Sequence, residues 1–154
     1  NVFIIAWSSI IFAIILYLAD KKKNLNKKWE DLNFFEVFTI GLCQSFAFIP
    51  GASRAGVTIT GARLLNIKRD SAAIYSMLLS IPIILSSLIL STIDLASKEY
   101  IEIDIIQSFL AAFTAFITAI FSIHIMMKII KSTSYNIFII YRIILGISLL
   151  VFYA

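Results

Sequence analysis

Nine consecutive residues, Pro50-Gly51-Ala52-Ser53-Arg54-Ala55-Gly56-Val57-Thr58, hold what is needed to bind a phosphate group. Arg54 offers a permanent positive charge on a planar fork that matches two phosphate oxygens. Ser53 and Thr58 place hydroxyls within about a helical turn of it. Pro50 stops an incoming helix, because its ring and its missing N–H do not fit a helix interior. Gly51 and Gly56 permit backbone angles that other residues resist. Ala52, Ser53 and Ala55 are small enough to let a ligand approach the backbone. A helix restarting near Ala55 aims its free N–H groups at the same place, and a helix amino terminus is a ready anion site. The spacing is not that of a Walker loop, so nucleotide hydrolysis is not implied. The bland alternative for Arg54 is a structural arginine bonded to backbone carbonyls at a helix break.

Other polar residues are weaker candidates. Gln44, in the apolar stretch before the motif, either braces the break or touches the ligand. Arg142, seven residues into the last apolar block, either pairs with an anion inside the bundle or snorkels to an interface. His124 reads as a satisfied or interfacial histidine. Asp94, Glu99, Glu102 and Asp104 lack a recognisable metal-ligand spacing and read as a solvated loop. Cys43 is the single cysteine, which excludes a disulfide framework or a cysteine metal cluster. None of the nine acids falls inside an apolar block, and Glu36 comes nearest. Phosphoryl chemistry usually needs a carboxylate as base or metal ligand. The motif is therefore an anion clamp lacking its acidic partner, half of a site with no metal ligands of its own.

The elements that must hold this motif lie in lipid. Of 154 residues, 60% are hydrophobic and 14% charged, against roughly 25% charged in a soluble domain. Apolar blocks at Val2–Leu18, Ser71–Ile93, Ile105–Met127 and Tyr135–Tyr153 are near the roughly 20 residues needed to span a bilayer. Ten of the thirteen Lys and Arg fall in three short segments, Lys21–Lys28, Arg63–Arg69 and Lys128–Lys131. That is the pattern of cytoplasmic loops rather than of a nucleic-acid surface. The first two segments can share a side only if the chain from 34 to 65 enters the membrane and returns. The expected fold is thus an all-α polytopic membrane protein, one domain over 1–154. It has about four transmembrane helices plus a re-entrant helix–loop–helix tipped by Gly51–Gly56, with its amino terminus outside. Irregular backbone at membrane depth must face a polar cavity. Such a layout suits one repeat of an inverted pair, and the chain begins already inside an apolar segment.

The motif resembles the second signature of the bacterial undecaprenyl pyrophosphate phosphatase family (the BacA type), P-G-x-S-R-S-x-x-T. Trp29, Gly41-Leu42-Cys43-Gln44 and Ala47-Phe48-Ile49-Pro50 are similar to the family's approach to it. Arg69, Ala72-Ala73, Ser76, Leu79 and Pro82 resemble the following helix, and Tyr141-Arg142 with Gly146 the closing one. The resemblance implies removal of a phosphate from a C55 isoprenyl pyrophosphate carrier for peptidoglycan synthesis, with bacitracin resistance as its consequence. It also implies two inverted repeats in the inner membrane, a cavity open to the periplasm, and a divalent cation, Mg or Ca. Ser53, Arg54 and Thr58 match the family's site positions, with Arg54 as pyrophosphate clamp and Gly51, Gly56 and Gln44 beside the substrate. Ala55 replaces the motif's second serine. The family's first motif, with its glutamates and its serine-and-histidine segment, is not in this chain, which therefore reads as the carboxy-terminal part of such an enzyme. The expected partners are the lipid substrate, membrane lipids and further copies of the chain. A transporter or flippase for an anionic or lipid-linked substrate is the alternative, since a broken helix at the midplane suits it equally.

Overall fold

The computed structural model describes residues 2–21, 25–96 and 105–153. Among these there is no β-strand, and seven α-helices carry the fold. They are α1 (Val2–Asp20), α2 (Phe34–Ser45), α3 (Arg54–Leu64), α4 (Arg69–Leu78), α5 (Ser80–Ala96), α6 (Ile105–Ser132) and α7 (Asn136–Tyr153). Four stretches are long and apolar enough to cross a membrane: α1, α4 with α5, α6 and α7. The chain is a multi-pass helical membrane protein.

α1 packs along α7 and against α3. Its buried face is Ala6, Ser9, Ala13, Leu16 and Asp20, alternate steps of three and four residues that form one seam. The small side chains let α7 come close, as in membrane helix pairs generally. A Cβ on Gly146 of α7 would lie 2.9 Å from the Ala6 carbonyl oxygen.

α3 is the centre of the fold, with α1, α2 and α4 packed around it. Every residue from Val57 to Arg63 is buried. Its threonines are satisfied locally: Thr60 Oγ1 donates to the Gly56 carbonyl at 2.7 Å. Thr58 Oγ1 reaches the Arg54 carbonyl at 3.0 Å and shares a 2.7 Å hydrogen bond with Ser76 Oγ of α4.

α2 and α3 form a hairpin. Lys27, before α2, pairs with Ile67, after α3, and the Lys68 amide donates to the Lys27 carbonyl at 3.0 Å. The chain thus enters and leaves the hairpin at one end, as the charge pattern requires. Asn33 and Glu36 cap α2 reciprocally. Lys27 pairs with Glu36, and its hydrogen bond, followed by that of the Asn33 amide, holds the Glu36 carboxyl below the usual range.

The stretch over Ser71–Ile93 forms one candidate span, as expected, with the helix interrupted between Leu78 and Ser80, because Pro82 has no N–H for the Leu78 carbonyl and its ring crowds it. One expectation is corrected: Arg63 and Arg69, read as loop cations, are instead drawn onto Asp20. Arg63 is 2% exposed and Asp20 3%. Asp20 Oδ1 accepts from Arg69 Nε at 2.8 Å and lies 3.1 Å from Arg63 Nε. Its Oδ2 accepts from the Tyr135 amide at 3.2 Å. Tyr135 Oη in turn donates to the Arg69 carbonyl at 2.8 Å. Burial first, and then the Asp20 carboxylate, pushes the Tyr135 phenol above its usual range. Asp20 closes the buried seam of α1 and locks the hairpin base to the α6–α7 connection.

Candidate anion-binding site at the hairpin tip

Between α2 and α3 the chain makes a 3-10 turn, Phe46–Phe48, and then breaks. Gly51 has φ +92°, and a Cβ there would lie 2.3 Å from Ser8 Oγ and 2.5 Å from the Ile5 carbonyl oxygen. Only glycine meets both the angle and the space. Ser8 donates to the Pro50 carbonyl and Ser9 to the Gly51 carbonyl, so α1 supports the break from one side. Ser53 caps α3 with φ +62° and accepts from the Gly56 amide at 3.3 Å. A positive φ outside glycine stores roughly 1–3 kcal/mol and needs surroundings that enforce it.

Arg142 of α7 does much of that enforcing. Its Nη2 donates to the Gly51 carbonyl at 2.8 Å and to the Ala52 carbonyl at 3.0 Å. Arg142 therefore neither meets an acid nor snorkels. It takes the structural role, bonding carbonyls at a helix break, that the sequence leaves open for Arg54. Its Nη1 is buried without a hydrogen-bond partner, beside Gly56, where a Cβ would come within 2.6 Å of it.

The Arg54 guanidinium makes no hydrogen bond or ion pair with any described residue, although its carbonyl accepts from Thr58. It lines a cavity of about 300 Å³ with Gly41, Gln44, Ser45, Phe48 and Ile83. Gln44 Oε1 there is buried and unpartnered. A second cavity, of about 490 Å³, lies on the other side of the tip, where Gly51, Ser53, Gly56, Tyr141 and Arg142 face Met126 and Phe138. The tip thus places Arg54 and Gln44 on one side, and Ser53, Gly51, Gly56 and Arg142 on the other. The first two amides of α3, of Arg54 and Ala55, have no acceptor among the described residues and are free for an anion. Thr58 lines neither cavity, its hydroxyl being committed to α3–α4 packing.

The tip contacts α1 at Ile5 to Ser9, some eleven residues from Asp20, or roughly 17 Å along the axis.

Of the remaining candidates, His124 is exposed on α6 and lines neither cavity. Asp94 is exposed on α5, and Glu99, Glu102 and Asp104 lie outside the described residues. Among the described residues no three His, Cys, Asp or Glu side chains converge.

Sequence reasoning did not foresee the Arg142 contacts or the Asp20 cluster. For Asp20 a signal existed, since it continues the three-four spacing of Ala6, Ser9, Ala13 and Leu16. No spacing links position 142 to the loop at 51–52.

Fold and tip together define a polytopic helical membrane protein whose broken helix is held between α1 and α7. The family described as Bacitracin resistance protein BacA matches residues 1–148, and the chain belongs to that family. It is similar to the undecaprenyl-diphosphatase of Pelagibacter ubique (strain HTCC1062), at 40% identity over 98% of this chain and 58% of that protein. It is similar also to the undecaprenyl-diphosphatase of Jannaschia sp. (strain CCS1), at 36% over 98% and 56%. Undecaprenyl-diphosphatase 2 of Stutzerimonas stutzeri (strain A1501) matches at 38% over 98% and 57%. The chain spans somewhat over half the length of these relatives.

Proposed function

We propose that this chain is the pyrophosphate-binding part of an undecaprenyl pyrophosphate phosphatase of the bacterial inner membrane. The observation that carries the reading is Arg54: an arginine near mid-depth whose guanidinium has no partner among the described residues, at the amino terminus of α3. A cation in that position costs about 2.5–3.5 kcal/mol even on the lenient insertion scale, and a pyrophosphate supplies the missing anion. The curated relatives it matches are named for that reaction.

In this reading Arg54 clamps phosphate oxygens, the Arg54 and Ala55 amides add two donors, and Gln44 offers a polar contact beside them. Ser53 and the free Nη1 of Arg142 serve the opposite side of the tip, where Gly51 and Gly56 let the ligand approach the backbone. Thr58 acts through position, fastening α3 to α4. The divalent cation expected for the family would sit on carboxylates from the length of the relatives that this chain does not span. The cation-rich hairpin base faces the cytoplasm, the hairpin is re-entrant from that side, and the tip cavity opens towards the periplasm. The chain is then one half of an inverted repeat, with further copies as possible partners.

The test is inorganic phosphate release from undecaprenyl pyrophosphate by the full-length protein in detergent with Mg or Ca. Arg54→Ala is expected to lower turnover at least 100-fold, from the loss of transition-state charge stabilisation. Near-normal turnover would sink the reading. Substrate flux across vesicles without phosphate release would replace it with the transporter alternative.

A further inference from the structure

The opposite end of the molecule carries a cation surplus that the tip does not use. At the hairpin base two guanidiniums, Arg63 and Arg69, share the single carboxylate of Asp20. Lys68 is matched by Asp70 at 3.2 Å. Lys131 is exposed and has no ion-pair partner among the described residues. The group therefore holds four cations against two acids. The four cations and Asp70 line a cavity of about 590 Å³. Lys68, Arg69 and Asp70 form one wall, Lys131 to Ser134 the other, and Arg63 lies at the bottom. Its surface is mostly polar, unlike that of the apolar cavity beside Ser53.

We infer that this cavity is a second anion site, taking a phosphate-bearing group at the membrane surface. The surplus charge is +2 and sits over a largely buried pair, where screening by water and salt is weakest. Ser132 donates to the Ile129 carbonyl, and the neighbouring hydroxyls of Thr133 and Ser134 supply uncharged donors for phosphate oxygens. The cationic end of a membrane protein faces the leaflet rich in anionic headgroups, and basic pockets between helices there hold lipid phosphates. The same chemistry is offered by an anionic phospholipid headgroup and by free inorganic phosphate. This site lies at the Asp20 end of α1, whereas the tip meets α1 at Ile5 to Ser9. The two therefore cannot share one phosphate group.

The test uses the full-length protein in zwitterionic nanodiscs, with Arg54→Ala throughout to weaken the tip. One arm adds phosphatidylglycerol and measures retained lipid by native mass spectrometry. The other titrates inorganic phosphate against an equal ionic strength of chloride, following thermal stability. Lys131→Gln, at an exposed position, and Lys68→Gln/Lys131→Gln are compared with the parent. Binding should weaken roughly fivefold per lysine charge removed, or about 25-fold for the pair. Loss confined to the lipid arm identifies a headgroup site, and loss in the phosphate arm a free-phosphate site. Absence of binding in both arms, equal stabilisation by chloride, or binding indifferent to both lysines overturns the inference.

Discussion

Replacing Arg142 by methionine tests whether α7 holds the hairpin tip in its working shape. The substitution keeps the apolar stem and removes two charge-assisted hydrogen bonds, to the Gly51 and Ala52 carbonyls at 2.8 and 3.0 Å. Gly51 keeps the Ser9 hydroxyl at 3.3 Å. Ala52 is fully buried, and its carbonyl is left without a donor. Hydrogen bonds to charged groups contribute about 1.5–3 kcal/mol each, and an orphaned buried carbonyl costs about 1–3 kcal/mol. Against this, the unpartnered Nη1 is no longer buried, which returns part of the desolvation cost. The balance is a destabilisation of roughly 2–4 kcal/mol, concentrated where Ser53 is already held at a positive φ. Arg142→Lys keeps the charge but cannot span both carbonyls in the same way, so it should fall between.

The assay is the midpoint of thermal unfolding in detergent beside phosphate release by the full-length protein. A tip displaced by about 1 Å is expected to cost on the order of 100-fold in turnover. The loss should fall mainly on kcat, because Arg54 remains to bind substrate. Arg142→Met with a wild-type midpoint and wild-type turnover would refute the idea that these two bonds hold the break. Wild-type stability with lost turnover would assign Arg142 to the ligand through Nη1 instead.

Three further outcomes are expected. Gly51→Ala should destabilise by about 2–4 kcal/mol from strain and overlap, and Ser8→Ala should not rescue it, because the Ile5 carbonyl is backbone. Asp20→Asn should leave Arg63 and Arg69 uncompensated and cost about 3–5 kcal/mol, read as poor accumulation in the membrane and a lowered unfolding midpoint. Thr58→Val and Ser76→Ala should each destabilise by about 1–2 kcal/mol, and the double variant should show coupling in a thermal-unfolding cycle. Strict additivity would mean that the 2.7 Å bond between them carries no stability.

The parts of this architecture legible in the sequence were those written in local chemistry. Pro50 and Gly51 mark the break because no helix interior tolerates the first and few other residues adopt the φ of the second. Charge groups Lys27 with Lys68 in the sequence, and their backbones meet. What stayed hidden depends on contacts between distant segments. Asp20 opens an Asp-Lys-Lys-Lys run at the end of the first apolar block, yet it is the last residue of a buried seam. Arg142 has its partners 90 and 91 residues away, and its carbonyl acceptors leave no trace in residue type. The two sides of the tip are also invisible in a linear motif: Ser53 and Arg54 are neighbours in sequence and open onto different cavities.

The arginines also divide by what the fold gives them. Arg142 and Arg63 are at most 9% exposed, and each is anchored by backbone carbonyls or a carboxylate. Such groups are committed, and removing their partners is costly because a buried charge is left behind. The Arg54 guanidinium is half-buried and has no partner among the described residues. The other three arginines are held by the fold's own carbonyls and carboxylate. On the proposed function, the partner of the fourth arrives from outside. Its anion is expected to stabilise the protein by binding the folded state alone. That stabilisation should vanish with Arg54→Ala and persist in Thr58→Val, which separates the clamp from the scaffold that carries it.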